Sequence, residues 1–290
     1  MSRAVLVDLT KCMGCRGCQV ACKQWNDLPA EVTKFFAGTG GYQNPPELSA
    51  KTFTLVEYTE IMKGENLSWV FAKRQCMHCL DPSCVSACPV GAMQRTAEGS
   101  VVSDSSKCIG CRTCLAVCPF GVPTYDTSKE VPVVRKCTYC ADREGGDWFE
   151  KELNGKPMSV EEVGRFGAGL VAPICAKTCS SGALKFGDRN ALLAEARSRI
   201  ASEPAKYIHH IYGEREVGGT SWLYISGVPF EELGFPGNLG EKPRPLLASA
   251  AHFKVPLLDI GGGAVIAGFC WIVNRRIANE EAKANAQPHE

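Results

Sequence analysis

Sixteen of the 17 cysteines in this 290-residue chain fall into four groups of four. The groups are Cys12, Cys15, Cys18 and Cys22; Cys76, Cys79, Cys84 and Cys88; Cys108, Cys111, Cys114 and Cys118; and Cys137, Cys140, Cys175 and Cys179. Disulfide-stapled secreted domains are usually much shorter and spread their cysteines to connect distant loops. Cysteines grouped this densely favour metal binding, so the fold must bring thiolates together around inorganic centres.

The spacing within the groups indicates which metal centre is bound. The first and third groups follow the pattern C-x2-C-x2-C-x3-C, which is typical of bacterial ferredoxins. Three thiolates at this spacing lie on a tight loop and can bind three corners of one [4Fe–4S] cluster. The fourth cysteine follows a longer gap, and we expect it to begin a helix that leads away and to bind a neighbouring cluster.

Zinc is the main alternative occupant. An all-cysteine zinc site usually draws two C-x2-C pairs from separate loops. The spacing of groups one and three and the Cys-Pro pairs at 88–89 and 118–119 fit that pattern poorly. The sequence therefore favours iron–sulfur clusters, and a zinc scaffold is the alternative that metal analysis would detect.

An internal repeat predicts how the groups are organised. KCMGCRGCQVAC at 11–22 and KCIGCRTCLAVC at 107–118 share Lys, Gly and Arg at matching positions as well as all four cysteines. Each unit resembles half of a ferredoxin, so four units make two double-cluster domains. The second and third groups lie close in sequence and pair with each other, which leaves the first group to pair with the split fourth. NALLAEARSRIA at 190–201 has the spacing and composition of a helix.

We therefore predict an α+β fold of two bacterial-ferredoxin-like domains, one inserted in the other, followed by a single C-terminal transmembrane helix. Domain A takes residues 1–30 and 125–215, domain B takes 60–124, an extended linker covers 216–254, and the anchor covers 255–276. In two-cluster ferredoxins the fourth cysteine of one group binds the cluster held by the other group of the domain. This rule predicts four ligand sets. The sets are Cys12, Cys15 and Cys18 with Cys179; Cys22 with Cys137, Cys140 and Cys175; Cys76, Cys79 and Cys84 with Cys118; and Cys88 with Cys108, Cys111 and Cys114.

No catalytic constellation accompanies the cysteines in the sequence. It contains no nucleophile with a matching base, no phosphate-binding glycine loop and no radical-type three-cysteine motif. Four fully ligated clusters leave no open iron for a substrate, so we expect electron transfer here and chemistry in a partner. A stand-alone enzyme with structural clusters is the alternative. The formal net charge of +1 argues against a nucleic-acid partner.

Basic residues recur beside the cysteine loops. Lys11, Lys107 and Lys136 each precede the first cysteine of a group, and Arg16 and Arg112 lie inside loops. A cation near an anionic cluster favours its reduced form and raises its reduction potential. The alternative interpretation is that each of these residues is an ordinary solvated surface charge.

The tail differs in character from the rest of the chain. VPLLDIGGGAVIAGFCWIV at 255–273 is a long apolar run with one charge, Asp259. As a helix it would be about 28 Å long, close to the thickness of a bilayer core. Trp271, Arg275 and Arg276 would anchor its far end. We interpret the run as a membrane anchor; the alternative is a buried helix of a soluble protein, which three consecutive glycines disfavour.

In this order, the four groups resemble those of the four-cluster iron–sulfur subunits of molybdopterin oxidoreductase complexes. Other stretches resemble the beta subunit of membrane-bound formate dehydrogenase. These stretches are VACKQWND (20–27), GGYQNPPELSAK (40–51), CMHCLDPSCVSACP (76–89), KCTYCADR (136–143) and GGTSWLY (218–224). The resemblance covers nearly the whole chain and implies four [4Fe–4S] clusters in a non-catalytic subunit.

The resemblance also implies partners and a direction of electron flow. Formate is oxidised at a molybdenum or tungsten bis-pterin centre of a catalytic alpha subunit, and electrons enter at the Cys12 set. They pass the Cys22 and Cys76 sets and leave from the Cys88 set to a membrane cytochrome b gamma subunit and the quinone pool. Related subunits are exported with a signal-bearing partner, so we expect a cell-membrane location with the clusters on the periplasmic side. Equivalent subunits of a hydrogenase or of a polysulfide or dimethyl sulfoxide reductase are the alternatives.

Overall fold

The computed structural model describes residues 3–32, 44–144 and 172–243, together with Trp271 and Arg275. Short strands and helices alternate along these parts of the chain. The chain divides into two units, residues 1–245 and 246–290, and the elements below belong to the first. The strands are β1 (Arg3–Asp8), β2 (Leu55–Lys63), β3 (Asn66–Arg74), β4 (Met93–Arg95), β5 (Val101–Ser103), β6 (Thr124–Asp126), β7 (Val133–Arg135), β8 (Leu184–Asp188) and β9 (Trp222–Ile225). The α-helices are α1 (Gly17–Trp25), α2 (Ser83–Ser86), α3 (Thr113–Ala116), α4 (Ile174–Lys177) and α5 (Arg189–Ser202).

β1 is the centre of a three-stranded sheet, with β8 antiparallel on one side and β9 parallel on the other. All six of its residues are buried, which explains its continuous apolar run, since both faces of the sheet are covered. Successive side chains point to opposite faces. Val5 and Val7 therefore join the core on one face, while Ala4 and Leu6 join a second core built with α5.

α5 packs on this sheet and matches the helix predicted for 190–201. Its N-cap is Asp188, whose carboxylate accepts the backbone N–H groups of Asn190 at 2.9 Å and Ala191 at 3.0 Å. These bonds satisfy two donors that a helix otherwise leaves unpaired.

Replacing the cap should have a small and specific effect. Asp188→Ala is expected to lower the free energy of unfolding by about 1 kcal/mol, because two N–H groups lose their acceptor. Ser198→Ala, on an exposed position of the same helix, is the control and should change stability by less than about 0.5 kcal/mol. Denaturation midpoints measured without air would compare the variants, and equal midpoints would contradict the capping role.

The β2–β3 hairpin covers the first cysteine loop. The two strands pair antiparallel from Leu55 with Arg74 to Lys63 with Asn66. The Tyr58 hydroxyl donates to the carbonyl oxygen of Gly14. A Cβ added to Gly14 would lie 2.9 Å from the ring of Phe71, so glycine lets the loop and the hairpin approach closely.

Elements that carry different cysteine groups pack in two pairs. α1, from the first group, packs against α4, from the fourth, while α2 packs against α3. Short hairpins, β4–β5 and β6–β7, follow the second and third groups. This arrangement places groups one and four together and groups two and three together; the exact domain boundaries stay a prediction.

One predicted segment differs from the structure. Residues 216–254 were expected to form an extended linker, but β9 lies within them and is fully buried against β1. A four-residue strand after three turn-forming residues is too short to predict by pattern, and its parallel partner lies more than 200 residues earlier. The described part of this segment therefore belongs to the folded core.

The predicted anchor at 255–276 lies outside the described residues, apart from Trp271 and Arg275. The guanidinium of Arg275 lies 5.1 Å from the centre of the Trp271 ring. Among the residues that the structure describes, no helix has the length and apolar character needed to cross a membrane.

Candidate iron–sulfur centres

The loops of the first and third groups share one backbone geometry. Gly14 and Arg16 have positive φ angles of 67° and 56°, and Gly110 and Arg112 have corresponding angles of 70° and 61°. Left-handed residues at alternate positions turn successive N–H groups toward one concave side, a geometry that binds anions. A cluster with four thiolates is anionic, so these loops fit it.

The helix that follows the first loop begins earlier than expected. We predicted that the fourth cysteine of the group starts the helix, but α1 begins at Gly17. Cys18 therefore lies in its first turn and Cys22 in its second. Residues four apart lie on the same face of a helix, one turn apart along its axis. The two sulfurs can thus serve two neighbouring clusters from one helix.

The predicted ligands of the first two sets lie together. Burial raises the pKa of Cys12, and charges on Cys179 and Cys15 raise it further. Burial likewise raises the pKa of Cys22, and Cys137 adds to the effect. Such mutual effects act strongly only at short range. Cys18 in the first set and Cys140 in the second show the same pattern, and Cys175 contributes to both effects.

The third and fourth sets are grouped in the same way. Burial raises the pKa of Cys84 to about 12, with further contributions from Cys76 and Cys118. The pKa of Cys79 is also raised, by burial first and then by the other sulfurs of the third set. Burial raises the pKa of Cys114 most strongly. A hydrogen bond with Tyr125 lowers it, and Cys111, Cys108 and Cys88 raise it further.

A smaller number of interactions connects one set to the next. Cys22 and Cys175 of the second set interact with Cys18 of the first. Cys137 of the second set interacts with Cys76 of the third. Cys84 of the third set interacts with Cys114 of the fourth. Sulfurs of each predicted set therefore lie near sulfurs of the next.

One small cavity is lined by all four cysteines of the second set, Cys22, Cys137, Cys140 and Cys175. Trp222 also lines it, and the buried indole N–H of Trp222 has no hydrogen-bond acceptor among the described residues. A sulfur-containing cluster would supply both the missing acceptor and the positive charge that lets buried thiols ionise.

A single metal ion does not fit these groups. Among the described residues, no three His, Cys, Asp or Glu side chains converge closely enough to hold one ion. A cubic cluster spreads its four thiolate ligands over four separate irons and so needs more widely spaced sulfurs. The finding therefore does not count against clusters at the same cysteines.

Several side chains donate hydrogen bonds toward the cysteine sulfurs. The amide of Asn26 donates to Cys22 Sγ at 3.6 Å. The Tyr125 hydroxyl lies 3.1 Å from Cys114 Sγ. Once a cysteine is a thiolate, such donors stabilise its negative charge, and they are one of the means by which a protein sets a cluster's reduction potential.

The five basic residues singled out in the sequence differ in burial. Lys136 is 3% exposed and donates from Nζ to the carbonyl oxygens of Val101 and Cys137. Lys107 is 51% exposed in its side chain and pairs with Asp104 at 3.0 Å. Lys11 and Arg112 are also exposed. Only Lys136 of the three lysines is therefore held as a buried charge beside the sulfurs.

Sequence reasoning missed a second buried lysine. Lys73 lies at the end of β3 in the stretch FAKR, three residues before Cys76, and only the folded hairpin brings it to the cysteines of the first and fourth groups. His78, in the loop between Cys76 and Cys79, is fully buried. Its Nδ1 accepts the backbone N–H of Val101 at 2.9 Å. Burial lowers the pKa of His78, and Lys136 lowers it further.

Comparisons with known proteins agree with this geometry. Two protein-family models, each described as a 4Fe-4S dicluster domain, match residues 67–153 and 11–92. The iron–sulfur subunit of the nitrate-inducible formate dehydrogenase of Escherichia coli is 39% identical over 295 residues, covering 99% of this chain and 89% of the relative. The chain belongs to the family of formate dehydrogenase iron–sulfur subunits.

Other members of this iron–sulfur subunit family extend the comparison. The formate dehydrogenase-O iron–sulfur subunit of Escherichia coli is 37% identical over 225 residues, which cover 77% of this chain and 66% of the relative. The hydrogenase-2 operon protein HybA of Escherichia coli O157:H7 is 31% identical and covers 96% and 86%. As an iron–sulfur subunit with two dicluster domains, the chain carries four [4Fe–4S] clusters and transfers electrons.

Proposed function

We propose that the chain relays electrons from a molybdenum- or tungsten-pterin formate dehydrogenase catalytic subunit to a membrane cytochrome b subunit and the quinone pool. The observation that carries this proposal is that sulfurs of each predicted set interact with sulfurs of the next, which suits a path with two ends. The clusters, when bound, supply one-electron transfer and no substrate chemistry. The role of this chain is to hold them close together and apart from water.

The ligand sets of the proposal are those predicted from the sequence. Cys12, Cys15, Cys18 and Cys179 hold the first cluster; Cys22, Cys137, Cys140 and Cys175 the second; Cys76, Cys79, Cys84 and Cys118 the third; and Cys88, Cys108, Cys111 and Cys114 the fourth. The mutual pKa effects within each set support this division. The same division into sets supports the proposal that one ferredoxin-like domain is inserted in the other.

Exposure at the two ends of the proposed path supports docking there. Of the sixteen grouped cysteines, Cys15 in the first set and Cys111 in the fourth are the two that are exposed. An exposed apolar side chain lies in the same loop at each end, Met13 at 61% and Ile109 at 56% exposed. Apolar contacts of this kind suit a protein interface. We assign the first end to the catalytic subunit and the fourth to the cytochrome.

The location of the protein is part of the proposal. The apolar run at 255–273 would anchor the chain in the cell membrane, and a signal-bearing catalytic partner would carry the cluster domains to the periplasmic side. The equivalent role in a hydrogenase complex is the second candidate, and the likeness to HybA favours it. The identity of the large subunit that binds this chain distinguishes the two.

The native complex provides the test. Purified without air through a tag on this chain, it should contain a pterin-bearing large subunit, and formate should reduce its clusters while hydrogen does not. Reduction by hydrogen together with nickel in the large subunit would favour the hydrogenase role. Full turnover of formate by the isolated chain would contradict an electron-transfer role altogether.

Charges placed at the two ends separate the roles of the interfaces. Met13→Asp should abolish cluster reduction by formate, while Ile109→Asp should keep that reduction and lose transfer to a quinone analogue. Both effects follow because a charge at the centre of an apolar interface is costly to bury. Val32→Asp is the control, because Val32 is 87% exposed and lies outside both loops. It should change neither step. Identical behaviour of the two end variants would contradict the assignment.

A further inference from the structure

Lys73 is a cation buried beside the second cysteine set. The residue is 3% exposed. Its ammonium donates to Thr54 Oγ1 at 2.7 Å and to Gln75 Oε1 at 2.8 Å, and it lies 4.3 Å from the centre of the Trp222 ring. No carboxylate among the described residues lies within salt-bridge distance of it. Lys73 is thus a buried positive charge held by neutral groups.

The negative partners of this charge are sulfurs. An unpaired buried ammonium is costly, so a compensating charge is required. Burial alone lowers the pKa of Lys73, but Cys175, Cys18 and Cys137 raise it by more, and the net direction is upward. Lys73 also lines the cavity that is lined by all four cysteines of the second set. It therefore lies at the site where the cluster would bind.

The second set is also the most enclosed of the four. Its members Cys22, Cys137, Cys140 and Cys175 are all buried, with exposures of 6% to 9%. Each other set has at least two members that are partly or fully exposed. Reduction adds a negative charge to a cluster, and a site without water disfavours that charge and lowers the potential. A cluster in the middle of the path with too low a potential would hold electrons back.

We propose that Lys73 raises the reduction potential of the cluster held by Cys22, Cys137, Cys140 and Cys175, and so offsets its burial. The inference rests on the proposed ligand set. For two unit charges about 10 Å apart at an effective dielectric constant of about 20, Coulomb's law changes an equilibrium roughly tenfold. Lys73 also acts on Cys18 and Cys12 of the first set, although those two residues do not line its cavity.

Three variants of the full chain in its complex test the role of the charge. Lys73→Met removes the charge and keeps the length of the side chain, whereas Lys73→Arg keeps the charge. Lys107→Met is the matched control, because Lys107 precedes a ligand cysteine but its side chain is 51% exposed to solvent. The midpoint potentials are measured by redox titration monitored by electron paramagnetic resonance. A variant lacking Cys137 identifies which signal belongs to the second set.

Lys73→Met should favour the oxidised form of that cluster about tenfold, which lowers its midpoint by about 59 mV for a one-electron couple. Lys73→Arg and Lys107→Met should each change the midpoint potential of the unmodified protein by less than a third of that shift. Unchanged potentials in Lys73→Met, or an equal fall in Lys73→Arg, would overturn the proposal.

Iron analysis covers the case in which Lys73→Met does not retain its clusters. Retention of all iron by Lys73→Arg would then support a requirement for the charge, and loss of iron from both variants would overturn it. Failure of the ligand assignment is a separate outcome. In the unmodified protein it would appear as fewer than four clusters. In the variant lacking Cys137 it would appear as loss of no cluster signal, or of more than one.

Discussion

Cys137→Ala is expected to lower the iron content from about sixteen atoms per chain to between about twelve and about fifteen. Cys137 is 9% exposed, and its sulfur interacts with Cys175 of its own set and with Cys76 of the next. Three remaining thiolates can hold at most an incomplete cluster. Because the proposed path runs through the second set between the first and the third, electron transfer from formate to a quinone analogue should fall to the level of a preparation without iron.

Cys270→Ala is the control for this experiment. Cys270 is the one cysteine outside the four groups, so its removal should leave both iron content and electron transfer unchanged. Iron and acid-labile sulfide are measured on complexes purified without air. Full iron content in Cys137→Ala would contradict its place among the ligands, and unchanged transfer with reduced iron would contradict the proposed path through the second set.

Gly213→Ala is expected to destabilise the fold by about 4 kcal/mol or more. Gly213 has a φ of +93°, and an added Cβ would lie 2.1 Å from the carbonyl oxygen of Trp222 and 2.5 Å from Thr220 Oγ1. Both neighbours are held in place, since Thr220 Oγ1 donates to the Trp222 carbonyl oxygen at 2.7 Å and β9 begins at Trp222. The substitution would therefore displace β9 from β1.

Gly182→Ala separates backbone strain from the clash. Gly182 also has a positive φ, +65°, but an added Cβ would meet no atom within 4 Å. It should cost only about 1–2 kcal/mol, the usual penalty for a left-handed residue with a side chain. Urea midpoints of the two variants, taken under the same conditions without air, give the comparison. If the two glycine variants unfold at the same midpoint, the close contact with β9 has no energetic weight.

The sequence predicted the chemistry of the site better than the contacts around it. Cysteine spacing is strict in ferredoxin loops, so Cys12 to Cys22 and Cys108 to Cys118 could be read as cluster ligands directly. The start of α1 could not, because it depends on the positive φ of Arg16, a conformation that arginine does not signal. The ligand sets are still predictions, which the grouping of the sulfurs supports.

Features that depend on distant contacts were not visible in the sequence. Lys73 follows an apolar stretch of β3 and resembles an ordinary strand-end lysine until the hairpin is packed against Trp222. β9 likewise looks like part of a linker until it pairs with β1. Neither relation has a local signal, since each joins residues that are at least 149 positions apart. Of the two buried lysines in the described residues, only Lys136, adjacent to Cys137, could be flagged from its position alone.

The pairing of β1 with β9 has a consequence for how the protein is made. Translation proceeds at about 5–20 residues per second, so the first strand leaves the ribosome some tens of seconds before its parallel neighbour exists. During that interval the sheet beside the first cysteine group is incomplete, and its thiols are exposed to oxygen and to other metals. The predicted first cluster also needs Cys179, so its four thiols exist together only once Cys179 is made, whereas groups two and three are complete once Cys118 is made.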